Sequence, residues 1–232
     1  MYLYQEYTKN GVRNIYRFPD VFVGSNMYFI NSGDTGIVID PNVNNELLNI
    51  FEKLYTKKIV IALTHEHYDH TMGVKWLQSK IKTKLFCHKN CGESIASLKG
   101  NNPKTLAALL SVRDIADGGN RRDIFMATAK SYILEADIVF EEKYNMKIGD
   151  IYFTCFSTPG HSPGSACYIL DDSCVFTGDS LIKNTPTILK LPGGNKKDYF
   201  ERTLPFLRSL DYNMMVYPGH ELPFKLMDAQ NL

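Results

Sequence analysis

The sequence predicts an α/β (α+β) fold. Apolar, β-branched runs alternate with stretches of 3.6-residue periodicity, a pattern of strand–helix units rather than of an all-β sandwich. The densest cluster of imidazole and carboxylate groups follows directly on one such run, at a strand end, where α/β proteins place their sites. The chain has 232 residues, 44% of them hydrophobic, enough for one sizeable core and short for two. The expectation is a single domain over residues 1–232 with a helical insert at about 90–136.

Residues 2–8, 12–18 and 26–40 read as strands, with turn signals at Asn10-Gly11, Pro19-Asp20 and Ser32-Gly33-Asp34. The last run closes with Gly36-Ile37-Val38-Ile39-Asp40-Pro41, a buried strand stopped by proline. Asp40 there is either an ordinary turn aspartate or a carboxylate that orients a metal-bound histidine. Between 42 and 56, Val43, Leu47, Ile50, Phe51 and Leu54 form a helical stripe. Lys58-Ile59-Val60-Ile61-Ala62-Leu63 is a buried strand, followed by a helix from about 71 to 79 and a strand from Thr83 to His88.

Helical patterns at 91–98, 103–113 and 121–135 come next. Lys99, Lys104, Arg113, Arg121, Arg122 and Lys130 outnumber Asp114, Asp117, Asp123 and Glu135 there. These charges read either as a solvated helix face or as part of a lid whose cations grip an anionic substrate tail. A homodimer contact is the other role open to the segment. Strands resume at 151–157, and two more apolar runs end at Gly178 and Tyr217.

Composition excludes several classes. A formal net charge of +1 provides no field to draw in nucleic acid or an anionic membrane. The five cysteines, Cys87, Cys91, Cys155, Cys167 and Cys174, are odd in number and form no Cys-x-x-Cys, which argues against a disulfide scaffold and suits a reducing compartment. The N-terminus lacks the basic and apolar regions of a signal peptide, and no apolar stretch approaches the roughly 20 residues that span a bilayer. A cytoplasmic protein acting on a small molecule, with no nucleic-acid or membrane partner, is expected.

The chemistry concentrates in Thr64-His65-Glu66-His67-Tyr68-Asp69-His70. Imidazole and carboxylate are the ligands that borderline divalent ions such as zinc prefer. His65 and His67, two apart on an extended loop, can point to one side while Glu66 points away. The spacing is not the helical His-Glu-x-x-His of metalloproteases. Asp69 and His70 can turn toward a second ion, since two-metal hydrolytic sites hold their ions about 3.5–4 Å apart. A solvated polar turn would account for one histidine but not for His-x-His-x-Asp-His.

Three later segments repeat the placement of a ligand at a strand end. Thr158-Pro159-Gly160-His161-Ser162-Pro163-Gly164-Ser165 puts His161 on a turn stiffened by proline and glycine. The run Cys174-Val175-Phe176-Thr177-Gly178-Asp179 ends in a carboxylate, and Val216-Tyr217-Pro218-Gly219-His220 ends in an imidazole. Each is commonplace alone, but together they leave five of the six histidines at the ends of apolar strands. His88, the sixth, reads as structural.

The order of His-x-His-x-Asp-His, Gly-His, Gly-Asp and Pro-Gly-His resembles the metallo-β-lactamase fold superfamily over nearly the whole chain. The resemblance implies an αβ/βα four-layer sandwich with two metals at one edge. It implies His65, His67 and His161 on one ion, Asp69, His70 and His220 on the other, and Asp179 bridging them. Within the superfamily, the segments 158–165, Phe176-Thr177-Gly178-Asp179-Ser180-Leu181 and Leu191-Pro192-Gly193-Gly194-Asn195 are most similar to glyoxalase II-like thioester hydrolases. A helix at about 196–210 and Val216–His220 match in place as well. Thr187-Ile188-Leu189-Lys190 stands where that branch usually has Gly-Arg-x-Asp, and the chain ends twelve residues past His220 without the helical domain that binds glutathione. The reaction type thus carries over better than the substrate.

The function expected is hydrolysis of a thioester or ester by a bridging hydroxide on two divalent ions, zinc first, with iron and manganese left open. Asp69 would serve as ligand and as proton acceptor for the nucleophilic water. Ser180 and Tyr68 are oxyanion donors or packing residues, and Cys167 and Cys174 read as buried thiols. Lactone or phosphoester hydrolysis on the same ligands, and sulfur (persulfide) dioxygenation at a single iron, are the alternatives.

Overall fold

Two sheets stack face to face, and helices cover their outer surfaces. The computed structural model describes residues 1–98, 100–230 and 232, so Lys99 among the cations named above lies outside the described residues. The first sheet has seven strands in sequence order: β1 (Tyr2–Thr8), β2 (Gly11–Pro19), β3 (Asn26–Ser32), β4 (Thr35–Ile39), β5 (Lys58–Leu63), β6 (Lys82–His88) and β7 (Ile138–Phe140). β1 to β4 form an antiparallel meander, and β4 to β7 run parallel. The second sheet has the order β13-β12-β11-β10-β9-β8, from β8 (Lys143–Ile148), β9 (Ile151–Ser157), β10 (Ala166–Leu170), β11 (Cys174–Gly178), β12 (Met215–Pro218) and β13 (Phe224–Lys225). Only β11 and β12 pair in parallel there.

Alternation along the strands builds three apolar layers. Ile15, Tyr28, Ile37 and Ile39 of the first sheet meet Phe153, Tyr168, Phe176 and Tyr217 of the second between the sheets. The opposite face of the first sheet, through Phe29, Val38 and Ile61, takes Leu47 and Phe51 of α1 (Asn45–Lys53) and Val74 and Leu77 of α3 (Val74–Gln78). Val175 and Val216 of the second sheet pack against Leu207 of α8 (Leu204–Arg208). Each fully buried side chain of this kind contributes about 1.5–3 kcal/mol. Helix, sheet, sheet, helix is the four-layer sandwich that the resemblance implied.

Several elements differ from the sequence reading. The helix expected at 71–79 is two short ones, α2 (Tyr68–Thr71) and α3, parted at Gly73. Gly73 passes so close to the 41–42 backbone that a Cβ would stand 2.4 Å from the Pro41 carbonyl oxygen. The insert holds α4 (Lys89–Ile95), α5 (Lys104–Asp117) and α6 (Arg121–Thr128). The pattern at 121–135 overruns α6 because Tyr132 and Leu134 are held by tertiary contacts, not by helix. The Tyr132 hydroxyl bonds that of Thr71, and Leu134 N–H donates to the Ile95 carbonyl. β7 and β8 were not foreseen. Beyond them, α7 (Lys196–Asp198), a π turn over Tyr199–Thr203 and α8 make one helical segment. Pro205 has no N–H to return to Glu201, which accounts for the widened turn.

Candidate metal centre

The C-terminal ends of β4, β5, β9, β11 and β12 gather at one edge of the sandwich. Parallel pairing of Ile39 with Ala62 puts Asp40 beside Thr64, and pairing of Gly178 with Pro218 puts Asp179 beside Gly219-His220. The two sheets are tied at this edge by Ala166 N–H to the Thr64 carbonyl (2.8 Å) and by Asn26 N–H to the Gly219 carbonyl (2.7 Å). The Tyr28 hydroxyl reaches across to the Pro218 carbonyl at 2.7 Å.

His65, His67 and His161 converge. His67 Nδ1 lies 3.1 Å from His65 Nε2 and 2.9 Å from His161 Nε2. The outer nitrogens of His65 and His161 are already engaged. His65 Nδ1 donates to the Thr64 hydroxyl at 3.0 Å, which itself donates to Asp40, and His161 Nδ1 donates to the Ile188 carbonyl at 2.9 Å. That fixes the tautomers of these two rings so that their Nε2 lone pairs turn toward His67 Nδ1, where a cation can be held. Glu66 turns away and accepts from the Ser162 hydroxyl.

Asp69, His70 and His220 form a second group, with Asp69 Oδ2 3.3 Å from His220 Nε2 and 3.5 Å from His70 Nε2. Asp179 lies between the groups. Its Oδ2 is 3.6 Å from both His161 Nε2 and His220 Nε2, and its Oδ1 is 3.6 Å from His70 Nε2. His70 Nε2 and Asp179 Oδ1 are buried without a hydrogen-bond partner. Such orphaned polar atoms are costly in a protein interior unless a ligand satisfies them. All seven predicted ligand residues therefore come together, and this oxygen-and-imidazole donor set fits a pair of borderline divalent ions.

Asp40 proves to be the orienting group rather than an ordinary turn residue. Buried in left-handed backbone (φ 51°), it accepts from His70 Nδ1 at 2.8 Å and from Thr64 N–H at 2.7 Å. Gly219 closes the site from the other side. A Cβ there would meet Asp179 Oδ1 at 2.2 Å and the His70 ring at 2.9 Å.

The electrostatics of the two groups differ. Burial, reinforced by neighbouring imidazoles, holds His65 well below the usual range and His67 down to about 4, and burial also lowers His161. These rings are neutral, as metal ligands must be. Burial works against His70, but Asp69, Asp179 and Asp40 overcome it and raise the ring to about 10. His220 is raised likewise, against burial, by Asp179 and Asp69. In return, His70 and His220 hold both carboxyls low despite burial.

The site opens into a cavity of about 740 Å³. Its walls include Thr105, Leu106, Leu109 and Arg113 of α5, so the insert borders the candidate centre. Both of the insert's other arginines are engaged elsewhere: Arg121 pairs with Asp114 and Asp117, and Arg122 with Asp123. Tyr68 donates to the Lys130 carbonyl and Ser180 is buried against Thr158, so neither hydroxyl is aimed at the centre. His88 caps α4, its Nδ1 accepting from Asn90 N–H. The five cysteines are buried and unpaired, and burial pushes Cys167 up to about 12. One cavity residue had no signal in the sequence: Arg17, on β2.

The Metallo-beta-lactamase superfamily model matches residues 20–220. A probable metallo-hydrolase of Streptococcus pyogenes serotype M6 is 30% identical over 209 residues, 89% of this chain and 83% of the relative. A probable polyketide biosynthesis zinc-dependent hydrolase of Bacillus subtilis is 24% identical over 80% of this chain and 67% of its own length. Among solved structures, the BLEG-1 B3 metallo-beta-lactamase superposes with a TM-score of 0.72 at 22% identity, covering 92% of this chain and 95% of that one. TTHA1623, crystallised in a di-iron-bound form, gives a TM-score of 0.62 at 24% identity over 91% and 95%. The strand-end histidines and aspartates, the αβ/βα layering and these likenesses agree: the chain belongs to the metallo-β-lactamase superfamily and is a metallo-hydrolase of that fold.

Proposed function

We propose that the enzyme hydrolyses a thioester or related ester on two divalent ions, zinc in the first instance, in the manner of the glyoxalase II-like branch. One observation carries the reading: two ligand groups share the Asp179 carboxylate, and an unpartnered Asp179 Oδ1 and His70 Nε2 face each other at 3.6 Å. His65, His67 and His161 would hold one ion, Asp69, His70 and His220 the other, and Asp179 both. Ions bound there supply charge to polarise a carbonyl and to generate hydroxide near neutral pH. The side chains do the rest. Asp69, held ionised beside His70 and His220, accepts the proton of the attacking water. The Thr64, Asp40, Ile188 and Val23 acceptors keep four imidazole rings in register. Ile188, Leu191 and Pro192, with Leu106 and Leu109 of α5, give the cavity beside the centre its apolar walls.

The name of the Bacillus relative supports zinc, and the form of TTHA1623 supports a pair of ions while naming iron as the rival metal. Elemental analysis of the protein as purified decides the metal. About two zinc per chain, with cleavage in a thioester, lactone and phosphodiester panel led by the thioester, is the expected result. About one iron per chain, with oxygen consumed on persulfides and no thioester cleaved, would replace this reading.

Asp40→Asn keeps a residue that tolerates left-handed backbone but removes the charge behind His70. It should weaken zinc binding about 10–100-fold, read by competition with a chromophoric chelator, with the circular dichroism spectrum unchanged.

A further inference from the structure

Two arginines on β2 face the interior between the sheets and have different surroundings. Arg13 is fully engaged: its Nε donates to Asp171, its Nη1 to the Asp150 carboxylate and its Nη2 to the Asp150 carbonyl. Arg17, on the same strand face two pairs along, is 5% exposed and lines the cavity of the metal centre. Its Nε donates to Asn26 Oδ1 at 2.8 Å, and the guanidinium lies 5.2 Å from the Tyr2 ring centroid. Among the described residues no carboxylate pairs with it and neither Nη makes a hydrogen bond. Its guanidinium is open to the cavity rather than sealed among protein atoms, and its planar fork suits a carboxylate or phosphate.

Arg113 of α5 is the second free guanidinium on this wall, exposed and without an acidic partner among the described residues. Its place is set by Val23, whose carbonyl accepts from Arg113 Nη1 at 3.5 Å and from His220 Nδ1 at 3.3 Å. Arg17 reaches the same end through Asn26, whose amide also donates to the carbonyls of Pro218 and Glu221 on either side of Gly219-His220. Both cations thus stand on the His220 side. The His161 side is apolar, with Ile188, Leu191 and Pro192. The cavity's glutamates are occupied otherwise: Glu66 with Ser162 and Glu221 with Thr185.

From this we propose that the substrate carries an anionic tail, carboxylate or phosphate, seated between Arg17 and Arg113, with its apolar part along Ile188, Leu191 and Pro192. The inference rests on the hydrolase reading for the bond that is cut, but not for the anion that is held.

The test compares thioesters matched in length that end in methyl, carboxylate or phosphate, on the acyl or on the thiol side, using the metal-loaded enzyme. One anionic ending should exceed its methyl counterpart in kcat/KM by roughly 10- to 100-fold, and which ending wins identifies the anion. In Arg17→Gln, and in Arg113→Gln on the exposed helix face, that ratio should fall toward one. No anionic preference in the wild type, or a preference that survives both substitutions, overturns the proposal. If no thioester is cut, the hydrolase reading fails separately, and calorimetry with glutarate and its dimethyl ester still tests the subsite. Roughly tenfold weaker glutarate binding in either variant, with the dimethyl ester unaffected, sustains it. Equal glutarate binding in all three proteins refutes it.

Discussion

Asp179→Ala is expected to hold roughly one divalent ion per chain where the wild type holds about two, and to lose about a thousandfold or more in kcat/KM. Asp179 is the carboxylate that faces His161 and His220 at once and turns its other oxygen to His70. Without it, two groups of neutral or cationic rings would have to accept ions with less negative charge between them. Elemental analysis and steady-state kinetics on one preparation check the result. A variant with full metal and full activity would refute the two-ion centre.

Arg13→Met should be strongly destabilising although it lies away from the centre. Arg13 is buried and joins β2 of the first sheet to the β8–β9 and β10–β11 turns of the second through Asp150 and Asp171. Asp150 is exposed, but Asp171 is buried, and leaving that carboxylate without its guanidinium costs about 3–5 kcal/mol. Urea denaturation of the wild type and the variant measures it.

The pH dependence follows from Asp171. Burial opposes its ionisation, but Arg13, Asn10 and the Tyr152 N–H prevail and hold its carboxyl below the usual range. Arg13 and Ser32 hold Asp150 low as well. A carboxyl with a depressed folded-state pKa contributes stability that is present above its unfolded value of about 3.9 and is lost as pH falls through the folded value. The difference between wild type and Arg13→Met should therefore be full at pH 7 and pH 5 and should shrink below about pH 4. A difference unchanged down to about pH 3 would show that packing, not charge, accounts for it.

The candidate ligands were legible in the sequence because each lies at the end of an apolar strand, where a local pattern and a chemical type coincide. His161, Asp179 and His220 are weak signals singly, and their order along the chain made them readable. Asp40 was ambiguous because a turn aspartate and an orienting aspartate look alike until β4 is seen beside β5. Arg17 was illegible for a different reason. Alternation along β2 says that it faces inward with Arg13, but not which of the two finds carboxylates there. β8 was hidden by its exposure: Lys143, Tyr144, Asn145 and Lys147 all face solvent on an edge strand, so no apolar alternation marks it. The end of α6 was misjudged because Leu134 is buried and Tyr132 half-buried from irregular backbone, which periodicity cannot distinguish from helix.

Gly219 donates no ligand atom, yet any side chain there would occupy the space where Asp179 and His70 approach each other. In a saturation screen for loss of function, this position should be at least as intolerant as the histidine that follows it. Alanine should fail there as fully as tryptophan, whereas a ligand position can accept another donor. The number of ways to inactivate the enzyme by single substitution is thus larger than its count of reactive groups, and part of that number is set by a residue whose contribution is empty space.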